Sequence, residues 1–184
     1  IDAVLDLSDA PQPETVVEAL VADGRFARFV QLIEETEFDQ DLSEEGPFTV
    51  FAPTDQAFDR FDAENPGFLD ALGRIGKEIL VMTHLAETRV ERAQFAGAGG
   101  ILNFNSVNLP LADGPDGLTV SGVNVTQADI DGGNGVIHAV EQVIRRNRDP
   151  NVYEWLRDDG RFTILVDAMD RTRIGAELRN DNWQ

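Results

Sequence analysis

The clearest pattern near the start of the chain is a helical stripe of large apolar side chains. The spacing i, i+3, i+4, i+7 puts such side chains on one face of an α-helix. The stripe consists of Phe26, Phe29, Val30 and Ile33. Before it, Thr15 and Glu18 have the spacing of a capping box, and Gly24 is suited to a left-handed helix end. The segment therefore predicts two capped helices that turn one apolar face towards a core.

A strand, a corner and another capped helix are predicted over residues 48–61. The run from Phe48 to Phe51 is β-branched and aromatic, which favours a buried strand, and Pro53 ends it because proline has no N–H for the ladder. Thr54 has N-cap chemistry, and Asp55 adds negative charge to the first helical turn. The inward face of this helix carries Ala57, Phe58 and Phe61. We expect the segment to build a core, since it contains no nucleophile and no metal-ligand pattern.

The pattern then changes from helices to short strands. We expect a short helix over 66–72 and a longer one over 75–85, and the inward side chains of the longer helix are Ile75, Ile79, Met82 and Leu85. Strands are predicted at 89–90, 94–95, 101–104, 107–111, 118–120, 123–126 and 136–140. Gly and Asp residues separate these strands, which is turn chemistry. Helices followed by strands indicate an α+β domain.

Part of the sequence occurs twice. Residues 15–38 and 151–174 align with nine identities in 24 positions, including Asp-Gly-Arg-Phe at 23–26 and 159–162. The later copy keeps the apolar stripe as Phe162, Leu165, Val166 and Met169. We therefore predict a complete domain over 1–148 and the helical start of a second, truncated repeat over 149–184. The apolar face of that start must pack on the first domain, pair with another chain or stay partly loose.

The charge of the chain excludes one class of partner. Its 34 acidic and 15 basic residues give a net charge of −19, which would repel nucleic-acid phosphates. Lys77 is the only lysine among the basic residues, and the other 14 are Arg. Such an acidic, lysine-poor surface is typical of a salt-adapted protein, although a GC-rich genome would also favour Arg codons. No apolar run approaches the roughly 18 residues of a membrane span, and the lack of cysteine excludes disulfides.

Two segments of the chain resemble the signatures of the fasciclin domain family. The first is the 48–61 segment, and the second begins with Asn-Gly-Val-Ile-His at 134–138. The residues that carry both are Phe51, Pro53, Thr54, Phe58, Asn134, Gly135 and His138. The resemblance spans residues 14–146. It implies a fasciclin-like β-sheet wedge with N-terminal and edge helices, in a domain that binds partners and needs no cofactor.

His84 and His138 are the two histidines of the chain. A histidine beside a carboxylate can act as a general base, and the alternative is a hydrogen-bonded structural role. Both positions match histidines of the family, although Thr83 stands where the family has a tyrosine before the first of them. The resemblance favours the structural role and leaves His84 as a candidate binding residue.

Other candidate sites are weaker. The Asp- and Gly-rich stretch 129–135 fails the calcium-loop pattern, because its sixth position is Asn134 and its twelfth is Val140. We therefore expect a turn there and no metal site. Asn124 begins an Asn-Val-Thr glycosylation sequon, which matters only in an exported protein. Neither the glycine clusters nor the four serines lie in a phosphate-loop or nucleophile-elbow pattern.

Two classes of function fit the sequence. Asp129 and Ile130 match an Asp-Ile pair with which some fasciclin-like proteins bind cell-surface receptors; alternatively Asp129 ends a strand and Ile130 lies in the core. The first class is a non-catalytic extracellular or cell-surface adhesion module, whose partner is a protein, a polysaccharide or another copy. The second is a secreted small-molecule-binding protein or enzyme with a pocket at the helix–sheet edge. The lack of a catalytic pattern favours the first class.

Overall fold

The computed structural model describes residues 13–115, 117–145 and 163–171. The chain divides into a first unit, residues 1–145, and a second unit, residues 146–184. The helices of the first unit are α1 (Val16–Asp23), α2 (Ala27–Glu35), α3 (Phe38–Asp41), α4 (Asp55–Glu64), α5 (Phe68–Ala71), α6 (Arg74–Thr83) and α7 (Phe95–Ala98). A 3-10 turn, Arg92–Gln94, leads directly into α7.

The helix ends follow the predicted chemistry with one difference. The hydroxyl of Thr15 accepts a hydrogen bond from the N–H of Glu18, and Gly24 ends α1 with a φ of 75°. Thr54 caps α4 in the same way, through the N–H of Ala57. The carboxylate of Glu18, however, accepts from the N–H of Glu14 and not from that of Thr15, so only half of the predicted capping box forms.

Six strands form one sheet: β1 (Phe48–Pro53), β2 (Leu85–Ala86), β5 (Leu111–Gly114), β6 (Gly117–Val120), β7 (Val123–Asp131) and β8 (Gly135–Val140). Their order across the sheet is β2-β1-β8-β7-β6-β5. A separate antiparallel pair joins β3 (Ile101–Leu102) to β4 (Asn108–Leu109). Within the six-stranded sheet β1 and β8 run parallel, and the other neighbours are antiparallel. The architecture is α+β, as predicted.

The central strands carry an apolar core on both faces. β1 and β8 are buried along their whole length. Val50 and Ile137 belong to the cluster that the N-terminal helices cover, with the α2 stripe at its centre. Phe51 and Val140 belong to the cluster on the other face. Alternation along a strand sends successive side chains to opposite faces, so each central strand contributes to both clusters.

Several predicted strands differ from the observed ones. Gln94 and Phe95 were expected in a strand and instead join the 3-10 turn to α7, with Phe95 buried in the core. Residues 89–90 have no strand partner. Pro110 separates β4 from β5, so the predicted strand 107–111 is two strands. β7 is longer than predicted, because irregular pairing with β8 carries it on to Asp131.

The inward face of α6 was predicted correctly only in part. Ile75 and Ile79 are 72% and 42% exposed, whereas Met82 is half-buried and Val81, which was not predicted, is fully buried. The helix ends at Thr83, and Leu85 is buried in β2 instead of in the predicted helix. The buried end of the helix therefore faces the sheet, and its first turns carry apolar residues at the surface.

In the second unit the structure describes one helix, α8 (Thr163–Arg171). Leu165 is 47% exposed on this helix, and Met169 is partly buried. The other predicted stripe positions, Phe162 and the side chain of Val166, lie outside the described residues.

Candidate functional site

The amide of Asn134 joins three parts of the first unit. Its Oδ1 accepts a hydrogen bond from the N–H of Val16 at 2.8 Å. Its Nδ2 donates to the carbonyl of Leu42 at 2.8 Å and to that of Glu44 at 2.7 Å. The start of α1, the loop before β1 and the turn before β8 therefore meet at one side chain. This amide satisfies backbone groups that the chain leaves unpaired between its regular elements.

Position 135 requires glycine because the backbones of β1 and β8 approach closely there. A Cβ at this position would lie 2.6 Å from the carbonyl oxygen of Phe48 and 2.7 Å from Cγ1 of Val16. Contacts that short do not occur without a backbone shift. The Asn-Gly pair thus positions the two central strands against the N-terminal helix.

The first sequence signature lies beside the second. Phe51 and His138 are register partners in the parallel β1–β8 pair, and their rings stack at 5.6 Å between centroids. Pro53 ends β1 opposite Val140, and Thr54 then begins α4. Phe58 points from α4 into the core and is fully buried. All of these side chains hold the domain together.

His84 is fully buried at the end of α6. Its Nδ1 donates a hydrogen bond to the carbonyl of Leu80 at 2.8 Å, and its Nε2 accepts one from the N–H of Ile144 at 2.9 Å. The ring also meets the edge of Phe29. Burial lowers the pKa of His84 to about 4, because the charged ring would lose its hydration. In this conformation His84 presents neither ring nitrogen to a partner.

His138 is buried on the opposite face of the sheet. Its Nε2 donates to the carbonyl of Val90 at 2.7 Å, and its Nδ1 lies 3.3 Å from the N–H of Asp129, from which it accepts. Burial lowers the pKa of His138, although the Val90 carbonyl and the carboxylates of Asp129 and Glu91 oppose that shift. The neutral ring can therefore accept from Asp129 at ordinary pH.

Asp129 and Ile130 lie on an irregular part of β7. The register with β8 shifts between Gln127 and Ile130, and Asp129 has a φ of 57°. The carboxylate of Asp129 is exposed and accepts from the N–H of Arg92 at 2.8 Å. Ile130 is half-buried and packs against the helix-covered cluster. The pair therefore offers mainly the carboxylate to a partner, and its binding role remains a prediction.

A surface cleft of about 490 Å³ lies at the helix–sheet edge. We call it the polar cleft, and its side chains come from the α1–α2 turn, from α4, from β7 and from the residue that follows β8. They are Arg25, Asp55, Gln56, Arg60, Thr126 and Glu141. Gly24 and Thr54 complete the lining. No histidine borders the cleft.

Comparison with known proteins identifies the family. The family model of the Fasciclin domain matches residues 24–146. The chain belongs to the fasciclin domain family. It is 31% identical to protein sll1483 of Synechocystis over 144 residues, which cover 77% of this chain and 79% of that protein. The fasciclin-like fold predicted from the two signatures is confirmed.

Larger fasciclin relatives contain much more than this chain. It is 30% identical to the transforming growth factor-beta-induced protein ig-h3 of Oryctolagus cuniculus over 77% of this chain and 20% of that protein. It is 27% identical to human periostin, over 76% of this chain and 16% of periostin. The chain thus spans about a fifth or less of these two relatives.

The fold is also that of a solved fasciclin structure. A FAS1 domain pair from the insect cell adhesion molecule fasciclin I matches 86% of this chain and 57% of that chain, with a TM-score of 0.56. The two share 19% sequence identity, so the comparison shows the fold alone.

Other predicted sites of this fasciclin domain have the following surroundings. Asn124 is exposed on β7, and its Nδ2 donates a hydrogen bond to Glu141 at 2.7 Å. Glycosylation at this residue remains a prediction. Across the described ranges, no group of three or more His, Asp or Glu side chains is arranged to hold a metal ion. None of the described helices is both long and apolar enough to cross a membrane.

The second class of function named a pocket at the helix–sheet edge, but the sequence did not indicate which residues line the polar cleft found there. Its side chains are separated by up to 116 positions along the chain, between Arg25 and Glu141. Parallel pairing of β1 with β8 brings the start of α4 beside the end of β8, where the N–H of Thr54 lies 3.4 Å from the carbonyl of Val140. Gly24 and Arg25 of the cleft belong to the Asp-Gly-Arg-Phe block, 23–26, which the sequence analysis identified only as part of the repeat.

Proposed function

We propose that the chain is part of a tandem fasciclin protein that acts outside the cell as a non-catalytic adhesion module. Membership of the fasciclin domain family is the observation that carries this proposal. The matched fold includes a domain pair from a protein named as an insect cell adhesion molecule. The use of both histidines in backbone hydrogen bonds adds support, because neither ring nitrogen is free to act as a base.

The internal repeat supports the tandem arrangement. Leu165 of α8 aligns with Phe29 of α2 across the repeat. Phe29 is 1% exposed in the complete first domain, whereas Leu165 is 47% exposed in the second unit. We propose that residues 149–184 begin a second fasciclin domain, whose remaining elements cover this helix as the rest of the first domain buries Phe29. Linked domains bind a multivalent partner more tightly than either domain alone.

The partner in this proposal is a protein or polysaccharide at the cell surface or in the matrix, or another copy of the chain. Nucleic acid does not fit, because the net charge of −19 repels phosphate. Two surfaces are candidates for the contact. One is the exposed carboxylate of Asp129 on its β7 bulge, and the other is the polar cleft.

A second candidate function is that of a secreted protein that binds or converts a small molecule. The observation that favours it is the polar cleft, whose volume of about 490 Å³ falls in the range of small-ligand sites. A thermal-shift screen with uncharged and charged metabolites separates the two functions. A single small molecule that raises the melting temperature by several degrees would favour this second candidate.

Deletion of the encoding gene tests the adhesion proposal. We expect cells that lack the gene to adhere less to surfaces, and cells complemented with the full-length protein to recover. Complementation with the Gly135→Ala variant is the matched control, because a folding defect should leave adhesion low. Normal adhesion of the deletion strain under conditions in which the wild-type gene is expressed would contradict the proposal.

A further inference from the structure

We propose that the polar cleft binds a neutral, hydroxyl-rich ligand, namely a segment of an uncharged polysaccharide. This inference rests on the proposed function as an adhesion module and names the ligand class of one of its two candidate surfaces. Three features of the cleft favour such a ligand: its charges of both signs, its fixed walls, and two side chains that have no partner among the described residues.

The cleft is lined by charged side chains of both signs. Two are guanidinium groups, Arg25 and Arg60, and two are carboxylates, Asp55 and Glu141, while Asp23 pairs with Arg25 and the chain as a whole carries −19. An anion would meet two carboxylates and the repulsion of the whole chain, and a cation would meet two guanidinium groups. A neutral ligand avoids both costs. Paired donors and acceptors of this kind match adjacent hydroxyl groups, each of which donates and accepts.

The walls of the cleft are fixed by hydrogen bonds between its segments. The N–H of Asp55 donates to the carbonyl of Arg25 at 2.9 Å, and the carboxylate of Asp55 accepts from the N–H of Arg28 at 2.9 Å. These bonds join the α1–α2 turn to α4. Across the cleft, the carboxylate of Glu141 accepts from the side chain of Asn124. Because these walls are already ordered, ligand binding loses little free energy to the ordering of side chains and loops.

Arg25 is held in place by the repeated Asp-Gly-Arg-Phe block. Its guanidinium pairs with Asp23 at 2.5 and 2.7 Å, donates to Gln127 at 2.8 Å and lies 5.4 Å from the ring centre of Phe26. This pairing also lowers the pKa of Asp23, mainly through the side-chain hydrogen bond. Gly24 contributes a left-handed turn and no side chain, and nothing lies within 4 Å of a Cβ built there.

Gln56 and Arg60 are the adjustable side chains of the cleft. Both are exposed on α4, and neither has a hydrogen-bond or ion-pair partner among the described residues. Their amide and guanidinium groups are therefore available to a ligand. The fixed Arg25 and these two side chains together place donors and an acceptor around the same cleft.

A single cleft of this kind binds weakly, because no aromatic side chain lines it for a sugar ring to stack on. The repeat in the sequence suggests how the overall affinity for a polysaccharide could be higher. Asp-Gly-Arg-Phe occurs again at 159–162, the start of the proposed second domain. In the proposed tandem protein, two such clefts would engage neighbouring segments of one polysaccharide, and the second contact would benefit from high local concentration.

Titration of the 184-residue chain, followed by NMR, tests the inference. The neutral probes are cellohexaose, laminarihexaose and a mannohexaose, and the anionic probe is hexagalacturonate. Each titration is run at about 50 mM and at about 1 M NaCl. The higher concentration shortens the Debye length to roughly 3 Å. We expect at least one neutral hexasaccharide to shift amide signals around Gln56 and Thr126, with the same affinity at both salt concentrations.

Two exposed arginines provide a matched pair of variants. Arg60→Ala removes a guanidinium from the cleft, and we expect it to weaken binding about tenfold, the loss of one hydrogen bond from a charged group. Arg92→Ala makes the same change of charge outside the cleft, where the side chain is exposed, and should leave affinity unchanged. Gln56→Ala removes an amide from the cleft without any change of charge, and it should also weaken binding of the neutral probe.

Binding of no neutral probe, binding of the anionic probe alone, or equal weakening by Arg60→Ala and Arg92→Ala would overturn the inference. These results are distinct from failure of the adhesion proposal. Cells complemented with the Arg60→Ala variant would then adhere as well as cells with the unchanged protein. Loss of adhesion in the deletion strain would still support the adhesion module.

Discussion

The Nε2 atom of His84 accepts a hydrogen bond from the backbone N–H of Ile144 over 2.9 Å. This bond ties the end of α6 to the segment that follows β8, where the first unit ends. The ring must be neutral for it, because a protonated Nε2 has no lone pair to accept with. The buried histidine therefore makes the attachment of this segment depend on pH.

We expect the His84→Gln variant to flatten part of the pH dependence of stability. The unfolded histidine takes up a proton below its ordinary pKa of 6.5, while the folded one resists until about 4. The contribution of neutral His84 to the free energy of unfolding is therefore fully present above pH 6.5. About 3 kcal/mol of it is lost as the pH falls towards 4. Urea unfolding at several pH values from 8 to 4 should show that the difference in free energy of unfolding between wild type and variant becomes smaller as the pH falls. A constant difference would contradict the assignment.

Asn134→Ala should destabilise the domain by about 3 kcal/mol. The change leaves the N–H of Val16 and the carbonyl of Leu42 without partners, and unsatisfied buried groups are costly. Asn108→Ala is a suitable control, since Asn108 is exposed on β4. Chemical denaturation of both variants measures the effect. Equal, small losses in the two would show that the Asn134 amide does not join these segments.

Gly135→Ala should cost about 3 kcal/mol or prevent folding, because the added methyl group meets the backbone of Phe48. The same substitution at Gly97 has open space around it within α7 and removes a flexible residue from a helix. It should be neutral or stabilising by up to about 1 kcal/mol. Melting temperatures of the two variants provide the comparison. A neutral Gly135→Ala would contradict the close approach of β1 and β8.

Stability should rise with salt if the surface is salt-adapted. Residues 34–45 carry seven carboxylates and no cation, and α6 supplies the Arg74 and Lys77 that pair with Glu37 and Glu35. We expect the melting temperature to rise between about 10 mM and 1 M NaCl, as screening shortens the Debye length tenfold. A variant with Asp39→Asn and Asp41→Asn should gain less from salt. No gain in the wild type would favour the codon-bias explanation for the arginines.

Local patterns in the sequence predicted the parts of the fold that local chemistry determines. The stripe from Phe26 to Ile33 is buried as expected, and Thr54 caps α4 through its hydroxyl. These features depend on neighbours within one or two helical turns. Ile75 and Ile79 show the limit, because their spacing identifies a face of α6 but not which face meets the sheet.

Features that need two distant segments were not predictable. The bulge at Asp129 depends on how β7 pairs with β8, and no local signal marks the shift in register. Phe95 fits a strand or a short helix equally well by its neighbours. The polar cleft depends on the parallel pairing of β1 and β8, which places the end of β8 beside the start of α4.

Retention of coated beads in a flow chamber tests the adhesion claim most directly. Beads that carry the full-length protein are passed over cells of the source organism and over surfaces coated with the same protein. The account predicts that these beads are retained at shear rates that remove beads coated with the same protein after denaturation. Equal loss of both kinds of bead from every surface would contradict it.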